Sequence, residues 1–227
     1  MELSSVPTEL IIAHPESERE TRYQILGILG EGGSGTTYRA QIAGTDRSVA
    51  LKQLSLTQMD DWKAIELFER EAQILSELHH PSIPSHIDYF TIDTPTDRNF
   101  YIVQELAPGR TLSDWSESGW RYTEAEVQDI ASQILEILSY LHGFTPPVIH
   151  RDLKPSNILR TEAGQISLVD FGAVRQAYHD TFMRGSTVVG TFGYMAPEQF
   201  RSQQDSSFSR LRRLARTDAR TRSSRPI

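Results

Sequence analysis

The sequence contains no cysteine, which excludes disulfide bonds, thiolate metal sites and a cysteine nucleophile. It also contains no apolar run long enough to span a membrane. The first 21 residues carry five glutamates and lack the basic start and apolar stretch of a signal peptide. We therefore expect a cytoplasmic protein with no membrane segment, and the composition is compatible with a reducing environment.

Lysine is scarce, since only Lys52, Lys63 and Lys154 occur and arginine supplies the other strongly basic side chains. The formal net charge is -7, but residues 199–227 hold eight arginines against two aspartates. A basic tail is typical of some nucleic-acid-binding proteins. Nucleic-acid binding is therefore one alternative function for the chain. No nucleic-acid-binding motif accompanies the charge, so nucleic acid is not the partner that we expect.

The order of local patterns predicts the fold class. Residues 23–40 predict a hairpin around a glycine-rich turn, and residues 48–52 and 99–106 predict further strands. Helical patterns dominate the second half of the chain. This order predicts a two-lobed α+β fold, in which a small β-rich lobe with one helix precedes a mainly helical lobe and the linker lies near 105–109.

Two segments have helical periodicity. Residues 59–78 place an apolar stripe on one face, made of Trp62, Ile65, Phe68, Ala72 and Leu75. A capping box at Thr123 and Glu126 predicts the start of a second helix. That helix continues to His142 with an apolar face made of Val127, Ile130, Ile134, Ile137, Leu138 and Leu141.

A short hairpin is predicted from residues 158–159 and 166–169, with a turn at 162–164. Asn157 immediately precedes the first strand of this hairpin, Asp170 immediately follows the second strand, and Asp152 precedes both residues. Phosphoryl transfer to a hydroxyl needs a carboxylate that orients the hydroxyl and takes its proton, and oxygen ligands that hold magnesium on a triphosphate. These three side chains supply both kinds of group.

The run HRDLKPSN at residues 150–157, followed by DFG at 170–172, resembles the catalytic and magnesium loops of eukaryotic-type (Hanks-type) protein kinases, most like the bacterial members. Lys154 and Pro155 are similar to the serine/threonine branch. The resemblance implies a serine/threonine kinase that uses ATP and Mg²⁺ to phosphorylate Ser and Thr hydroxyls of protein substrates. It also implies that Asp152 and Lys154 are catalytic and that Asn157 and Asp170 bind the metal.

A glycine pattern precedes these motifs. Gly30, Gly32 and Gly35 let the backbone approach a polyphosphate without Cβ clashes, and they lie between two predicted strands, which argues against a dinucleotide-binding fold. The kinase resemblance implies that this loop and the strands around it bind ATP. Thr37 stands where the family has a valine. The implied ATP-binding residues of this region are Leu29, Gly30, Gly32, Gly33, Gly35, Thr37 and Ala50.

The run VALK at residues 49–52 resembles the strand that presents the phosphate-binding lysine, here Lys52. Three glutamates of the predicted helix at residues 59–78 are candidates for its acidic partner: Glu66, Glu69 and Glu71. Glu69 lies off the apolar stripe, and Glu71 occupies the position of the family's glutamate. We therefore expect a catalytic ion pair between Lys52 and Glu71.

The run YIVQELA at residues 101–107 resembles the kinase hinge. The resemblance implies that backbone groups of Glu105 and Ala107 bond adenine and that Gln104 gates the space behind it. Residues 190–198 are similar to the segment that closes the activation loop, in which Thr191 bridges toward Asp152.

Arg151 resembles the arginine that pairs with a phosphate on the activation loop. That loop, residues 173–189, contains three candidate phosphorylation sites, Thr181, Ser186 and Thr187.

The resemblance divides the chain into an extension (1–22), the small lobe and hinge (23–107), the first part of the large lobe (108–199) and a tail rich in Arg and Ser (200–227). The tail has few apolar residues, so we expect it to be disordered. The abrupt change in composition after residue 199 suggests a truncated gene or a shifted reading frame. An alternative function follows: a kinase-derived product that binds ATP weakly or is inactive, and acts as a nucleotide-binding or scaffold protein.

Overall fold

The computed structural model describes residues 10–12, 21–32, 35–58, 63–176, 191 and 193–196. Gly33, the three candidate phosphorylation sites and the tail from residue 200 lie outside these residues, as does Trp62.

A six-stranded antiparallel sheet forms the first part of the chain, with the strand order β1-β2-β3-β4-β6-β5. The hairpin predicted around the glycine-rich turn is β2 and β3, and Gly32 pairs with Gly35 at its tip. The N-terminal extension contributes an edge strand that was not predicted, because Leu10 pairs with Tyr23. The six strands are β1 (Leu10–Ile12), β2 (Thr21–Gly32), β3 (Gly35–Ile42), β4 (Ser48–Ser55), β5 (His86–Asp93) and β6 (Arg98–Glu105).

Strand β6 is buried on both faces of the sheet, because its successive side chains enter different apolar clusters. Tyr101 and Val103 join a cluster with Val49 of β4. Phe100 and Ile102 join a second, larger cluster on the opposite face, which includes the first helix.

Helix α1 (Lys63–Glu77) packs on that second face. Its predicted stripe is confirmed for Ile65, Phe68, Ala72 and Leu75, all of which are buried. Burying a side chain such as Phe68 stabilises the fold by about 1.5–3 kcal/mol.

Two α-helices follow the sheet in the described part of the chain. Helix α2 (Leu112–Glu117) was not predicted, and it begins with a capping box between Thr111 and Asp114. Helix α3 (Glu124–His142) begins with the predicted capping box at Thr123 and Glu126.

The apolar face of α3 is largely confirmed. Ile130, Ile137 and Leu141 are buried, and Ile134 and Leu138 pack against the core. Val127 is an exception at 52% exposed, because it projects away from the core in the first turn of the helix.

The predicted hairpin is confirmed by strands β9 (Ile158–Arg160) and β10 (Ile166–Leu168), in which Ile158 pairs with Leu168. Strand β7 (Arg110–Thr111) pairs with β9, and β8 (Val148–Ile149) pairs with β11 (Arg175–Gln176). Buried residues of α1, α3 and this hairpin belong to one apolar cluster, so the hairpin has a fixed place between the sheet and α3.

The α+β class and the β-rich lobe with one helix are confirmed by this architecture. The exact bounds of the lobes stay a prediction. None of the helices in the described part of the chain has the length and apolar character needed to cross a bilayer.

Candidate active site

The ammonium group of Lys52 connects three elements of the fold. Its Nζ lies 2.7 Å from Oε2 and 2.9 Å from Oε1 of Glu71, on α1, and 2.9 Å from Oδ1 of Asp170, just after β10. The expected ion pair between Lys52 and Glu71 is therefore present. Glu66 instead pairs with Arg70 at 3.4 Å on the exposed side of the helix.

The charges of this cluster stabilise one another. Burial disfavours the ammonium of Lys52, but the carboxylates of Glu71 and Asp170 outweigh burial and raise its pKa above the ordinary 10.5. Burial likewise disfavours the Asp170 carboxylate, yet Lys52 lowers the pKa of that group below 3.8. Lys52 and Asp170 are thus both charged at neutral pH, whereas burial raises the pKa of Glu71, although Lys52 opposes this shift.

The carboxylate of Asp152 lies in a loop after β8 and accepts hydrogen bonds at both oxygens. Its Oδ1 accepts from the backbone N–H and the Oγ1 of Thr191, both at 2.8 Å. Its Oδ2 accepts from Nδ2 of Asn157 at 3.1 Å and lies 2.8 Å from Nζ of Lys154. Burial opposes ionisation of Asp152, but hydrogen bonds from Lys154 and Thr191 prevail and lower its pKa below 3.8.

Thr191 is the bridge that the sequence resemblance implied. Its Oγ1 accepts a hydrogen bond from Nζ of Lys154 at 2.8 Å while bonding Asp152. One hydroxyl therefore fixes a cation and an anion relative to each other.

Asn157 and Asp170 lie beside each other because the backbone N–H of Val169 donates to the carbonyl of Asn157 at 3.0 Å. Nδ2 of Asn157 donates to the carbonyl and to Oδ2 of Asp152, which leaves its Oδ1 as the atom for a cation. Lys52 donates a hydrogen bond to Oδ1 of Asp170, so the other carboxylate oxygen, Oδ2, is the atom of Asp170 for a cation.

These two oxygen donors fit magnesium. Within the described ranges, no three or more His, Cys, Asp or Glu side chains are grouped to hold a metal. Mg²⁺ is usually held by one or two protein carboxylates together with substrate phosphates, so a complete protein cage is not required.

Two residues at the site have an unusual backbone conformation. Arg151 and Asp170 have φ angles of 64° and 62°, a left-handed conformation that costs on the order of 1–3 kcal/mol for a residue other than glycine. The Nε of Arg151 donates to the carbonyl of Ala173 at 2.6 Å, which joins the loop before Asp152 to the chain after Asp170.

A pocket lies between the sheet and the β9–β10 hairpin. Of the ATP-binding residues implied by the sequence, Thr37, Ala50, Lys52, Glu105 and Ala107 line it. Gln104, the expected gate, lies in its wall, and its Nε2 donates to the carbonyl of Pro84 at 3.3 Å. Glu71 and Asp170 also face this pocket. The sequence did not indicate the lining residues Pro84, Leu106, Leu159 and Val169.

Strand periodicity offers a signal for two of the residues that were missed. Ile158 and Leu168 are buried in the core, so their neighbours Leu159 and Val169 face the other way. That alternation is readable from the sequence once the hairpin is assigned.

The glycine loop lies outside the described wall of the pocket. Leu29 is 52% exposed, and a Cβ added at Gly30 or Gly32 would meet nothing within 4 Å. Gly35 differs, because its φ is 106° and an added Cβ would lie 2.0 Å from the carbonyl oxygen of Gln53. Of these glycines, the fold itself requires Gly35.

Comparisons with known proteins bear on the family to which the chain belongs. The profile of the protein kinase domain matches residues 23–209. Serine/threonine-protein kinase B of Synechocystis sp. is 40% identical over 196 residues, which are 78% of this chain and 33% of that protein. Serine/threonine-protein kinase F of the same organism is 38% identical over 201 residues, 81% of this chain and 40% of that protein.

Serine/threonine-protein kinase PrkC of Bacillus subtilis is 36% identical over 180 residues, 79% of this chain and 27% of that protein. The chain thus spans between 27% and 40% of the length of these three relatives. A profile match over most of the chain, together with the arrangement of Lys52, Asp152, Asn157 and Asp170, shows that the chain belongs to the protein kinase family.

Proposed function

We propose that this chain carries the catalytic centre of a protein serine/threonine kinase, which transfers the γ-phosphate of ATP to Ser and Thr hydroxyls of proteins. The observation that carries the proposal is the carboxylate of Asp152, which Thr191, Lys154 and Asn157 hold within hydrogen-bonding distance. Asn157, one member of this constellation, immediately precedes the hairpin that Asp170, the partner of Lys52, follows.

Asp152 orients the acceptor hydroxyl and receives its proton. Because its pKa is lowered, Asp152 is ionised at neutral pH and is a weak base, so orientation is its main contribution. Lys154 lies 2.8 Å from Asp152 and neutralises charge that develops on the transferring phosphoryl group.

We propose ATP as the nucleotide that this pocket binds. Ala50 and Leu159 supply apolar walls for a planar base, and the backbone groups of Glu105 and Ala107 supply its polar partners. Lys52, held by Glu71, points its charge at the phosphates. In this proposal the loop from Leu29 to Gly35 covers those phosphates with backbone N–H groups.

Asn157 and Asp170 would hold Mg²⁺ through Oδ1 and a carboxylate oxygen. When bound there, the cation neutralises phosphate charge and fixes the orientation of the triphosphate. The ionised carboxylate of Asp170 favours a cation at this place.

The acceptor specificity is proposed from two sources. Lys154 and Thr191 form the hydrogen-bonded bridge that the sequence associates with the serine/threonine branch, and the three relatives are named serine/threonine kinases. Proteins are the proposed substrates, and the cytoplasmic location remains our prediction.

The candidate phosphorylation sites stay part of this proposal. Arg151 is the cation that we expect to pair with a phosphate on Thr181, Ser186 or Thr187. Mass spectrometry of ATP-treated protein is expected to find phosphate between residues 170 and 198.

A non-catalytic nucleotide-binding or scaffold role is not favoured. Each side chain that the chemistry needs is present among the described residues and is hydrogen-bonded to another member of the set. The nucleic-acid-binding alternative depends on the tail, and no described residue supports it.

The test is transfer of label from γ-labelled ATP to a library of peptides that contain Ser, Thr or Tyr. We expect phosphoserine and phosphothreonine, little phosphotyrosine, and loss of transfer when Mg²⁺ is chelated. ATP binding without any transfer would contradict the proposal and would support the scaffold alternative.

A further inference from the structure

Gln133, on α3, connects this helix to the turn of the β9–β10 hairpin. Its Nε2 donates to the carbonyl of Gly164 at 3.0 Å, and its Oε1 accepts from the backbone N–H of Ile166 at 3.0 Å. Nε2 also donates to Oδ2 of Asp129 at 2.8 Å. A single amide therefore bonds the helix on one side and two backbone groups of the turn on the other.

The identity of the side chain matters for this arrangement. The contact needs a donor for Gly164 and an acceptor for Ile166, and an amide supplies both, whereas a carboxylate or a leucine does not. A reversed amide would place Nε2 against the N–H of Ile166 and Oε1 against Asp129. These partners fix the orientation of the amide.

Gln128 shows what an ordinary glutamine does on the same helix. Among the described residues its side chain bonds only Glu124, four residues earlier, at 3.3 Å, and it is exposed. Gln133 makes a similar bond to Asp129 but adds the two bonds across to the hairpin. The second set of bonds is not needed to form the helix.

The hairpin that Gln133 holds carries the proposed metal ligands at its open end. Ile158 pairs with Leu168, and the N–H of Val169 donates to the carbonyl of Asn157 next to Asp170. The two strands are only three residues each, so their register depends on both ends. Restraint of the turn therefore limits movement of the ligands.

We propose that Gln133 is a positioning residue for phosphoryl transfer, which keeps Asn157 and Asp170 in place by anchoring the turn of the hairpin to α3. The inference rests on the proposed function, in which Asn157 and Asp170 bind the metal that catalysis requires. Asp129 accepts a hydrogen bond from Nε2 of Gln133 and so helps to orient this amide.

The test compares the full chain with Gln133→Leu, and with Gln128→Leu as the matched control. Amide hydrogen exchange is followed by NMR at Ile166, which reports the anchor, and at Val169, which reports the open end of the hairpin. The Mg²⁺ concentration for half-maximal ATP binding and the kcat and KM for ATP are measured on the same proteins.

For Gln133→Leu we expect exchange at both Ile166 and Val169 to accelerate roughly fivefold or more. The half-saturating Mg²⁺ concentration should rise and kcat should fall by about tenfold, with KM for ATP little changed. Gln128→Leu should match the wild type. Gln133→Glu keeps an acceptor for Ile166 but places a carboxylate oxygen against the carbonyl of Gly164, so it should show the same losses as Gln133→Leu.

Faster exchange at Ile166 with unchanged exchange at Val169 and unchanged Mg²⁺ dependence would overturn the proposal, because the anchor would then be purely local. Wild-type Mg²⁺ dependence and kcat in Gln133→Glu would also count against it. If the wild type transfers no phosphate, the proposed function fails, and the exchange at Val169 still decides whether Gln133 positions the ligands.

Discussion

Lys52 and Glu71 form an ion pair of 2.7 Å in which the two residues are only 7% and 1% exposed. The pair joins β4 to α1, and Asp170 approaches the same ammonium from the hairpin. A charge removed from water to this extent depends on its partner, since an uncompensated buried charge is strongly unfavourable. The pair is thus both a structural contact and the expected phosphate-binding cation.

Removal of the cation should destabilise the fold. We expect Lys52→Met to lower the free energy of unfolding by about 3–5 kcal/mol, because Glu71 and Asp170 lose their buried partner. The double variant with Glu71→Leu should recover part of this loss. Urea denaturation measures both.

The exposed pair of Arg47 and Glu105, at 3.1 Å and about half exposed, offers the control. Arg47→Met should cost no more than about 1 kcal/mol. A loss for Lys52→Met as small as that of the control would show that the buried pair is not a stabilising unit.

Two glycines of the same loop should respond differently to alanine. Gly35→Ala forces a Cβ against the carbonyl of Gln53 in a left-handed conformation, so we expect at least about 1–3 kcal/mol of destabilisation. An alanine side chain at position 32 would have open space, so Gly32→Ala should fold as the wild type does. Its added Cβ should hinder the approach of the backbone to the phosphates, so ATP should bind about tenfold more weakly.

Thermal unfolding and ATP titration separate the two effects. An unchanged ATP affinity in Gly32→Ala would contradict the proposed phosphate contact, while a stable Gly35→Ala would contradict the local geometry.

Periodic and capped segments of this chain were predictable from sequence. The stripe of α1 and the capping box at Thr123 depend on neighbours within a few residues, and both are found in the structure. Helix α2, with six residues, is too short to show a period. The 52% exposure of Val127 was not predictable, since a period shows which residues share a face but not what covers them.

The candidate site, like the fold, was predictable from the sequence only in part. The reacting groups were identified because their motifs are local in sequence, and Asp152, Asn157 and Asp170 do lie together. Pro84 and the anchoring role of Gln133 are products of tertiary packing between distant segments. No pattern near either residue indicates its partner.

Acid should weaken the fold through His150. Its ring is buried edge-on against Phe171 at 4.8 Å between centroids. Burial lowers the pKa of His150 below 6.5, although the carboxylates of Asp170 and Asp152 oppose the shift. The unfolded chain therefore binds more protons just below pH 6.5, and the free energy of unfolding falls as the pH drops through that value.

Urea denaturation at about pH 7.5 and about pH 5.5 measures this slope. His150→Gln should reduce this slope. A slope unaffected by His150→Gln would contradict the assignment.

Phosphate transfer from ATP by the wild type and by Asp152→Asn, compared at saturating ATP and Mg²⁺, tests the proposed catalytic centre most directly. The substitution keeps the size of the side chain but removes the charge that Thr191 and Lys154 stabilise. We predict similar ATP affinity in both proteins and a rate of transfer lower by about 100-fold to 10,000-fold in the variant. Equal rates of transfer would contradict the assignment of Asp152 as the catalytic carboxylate.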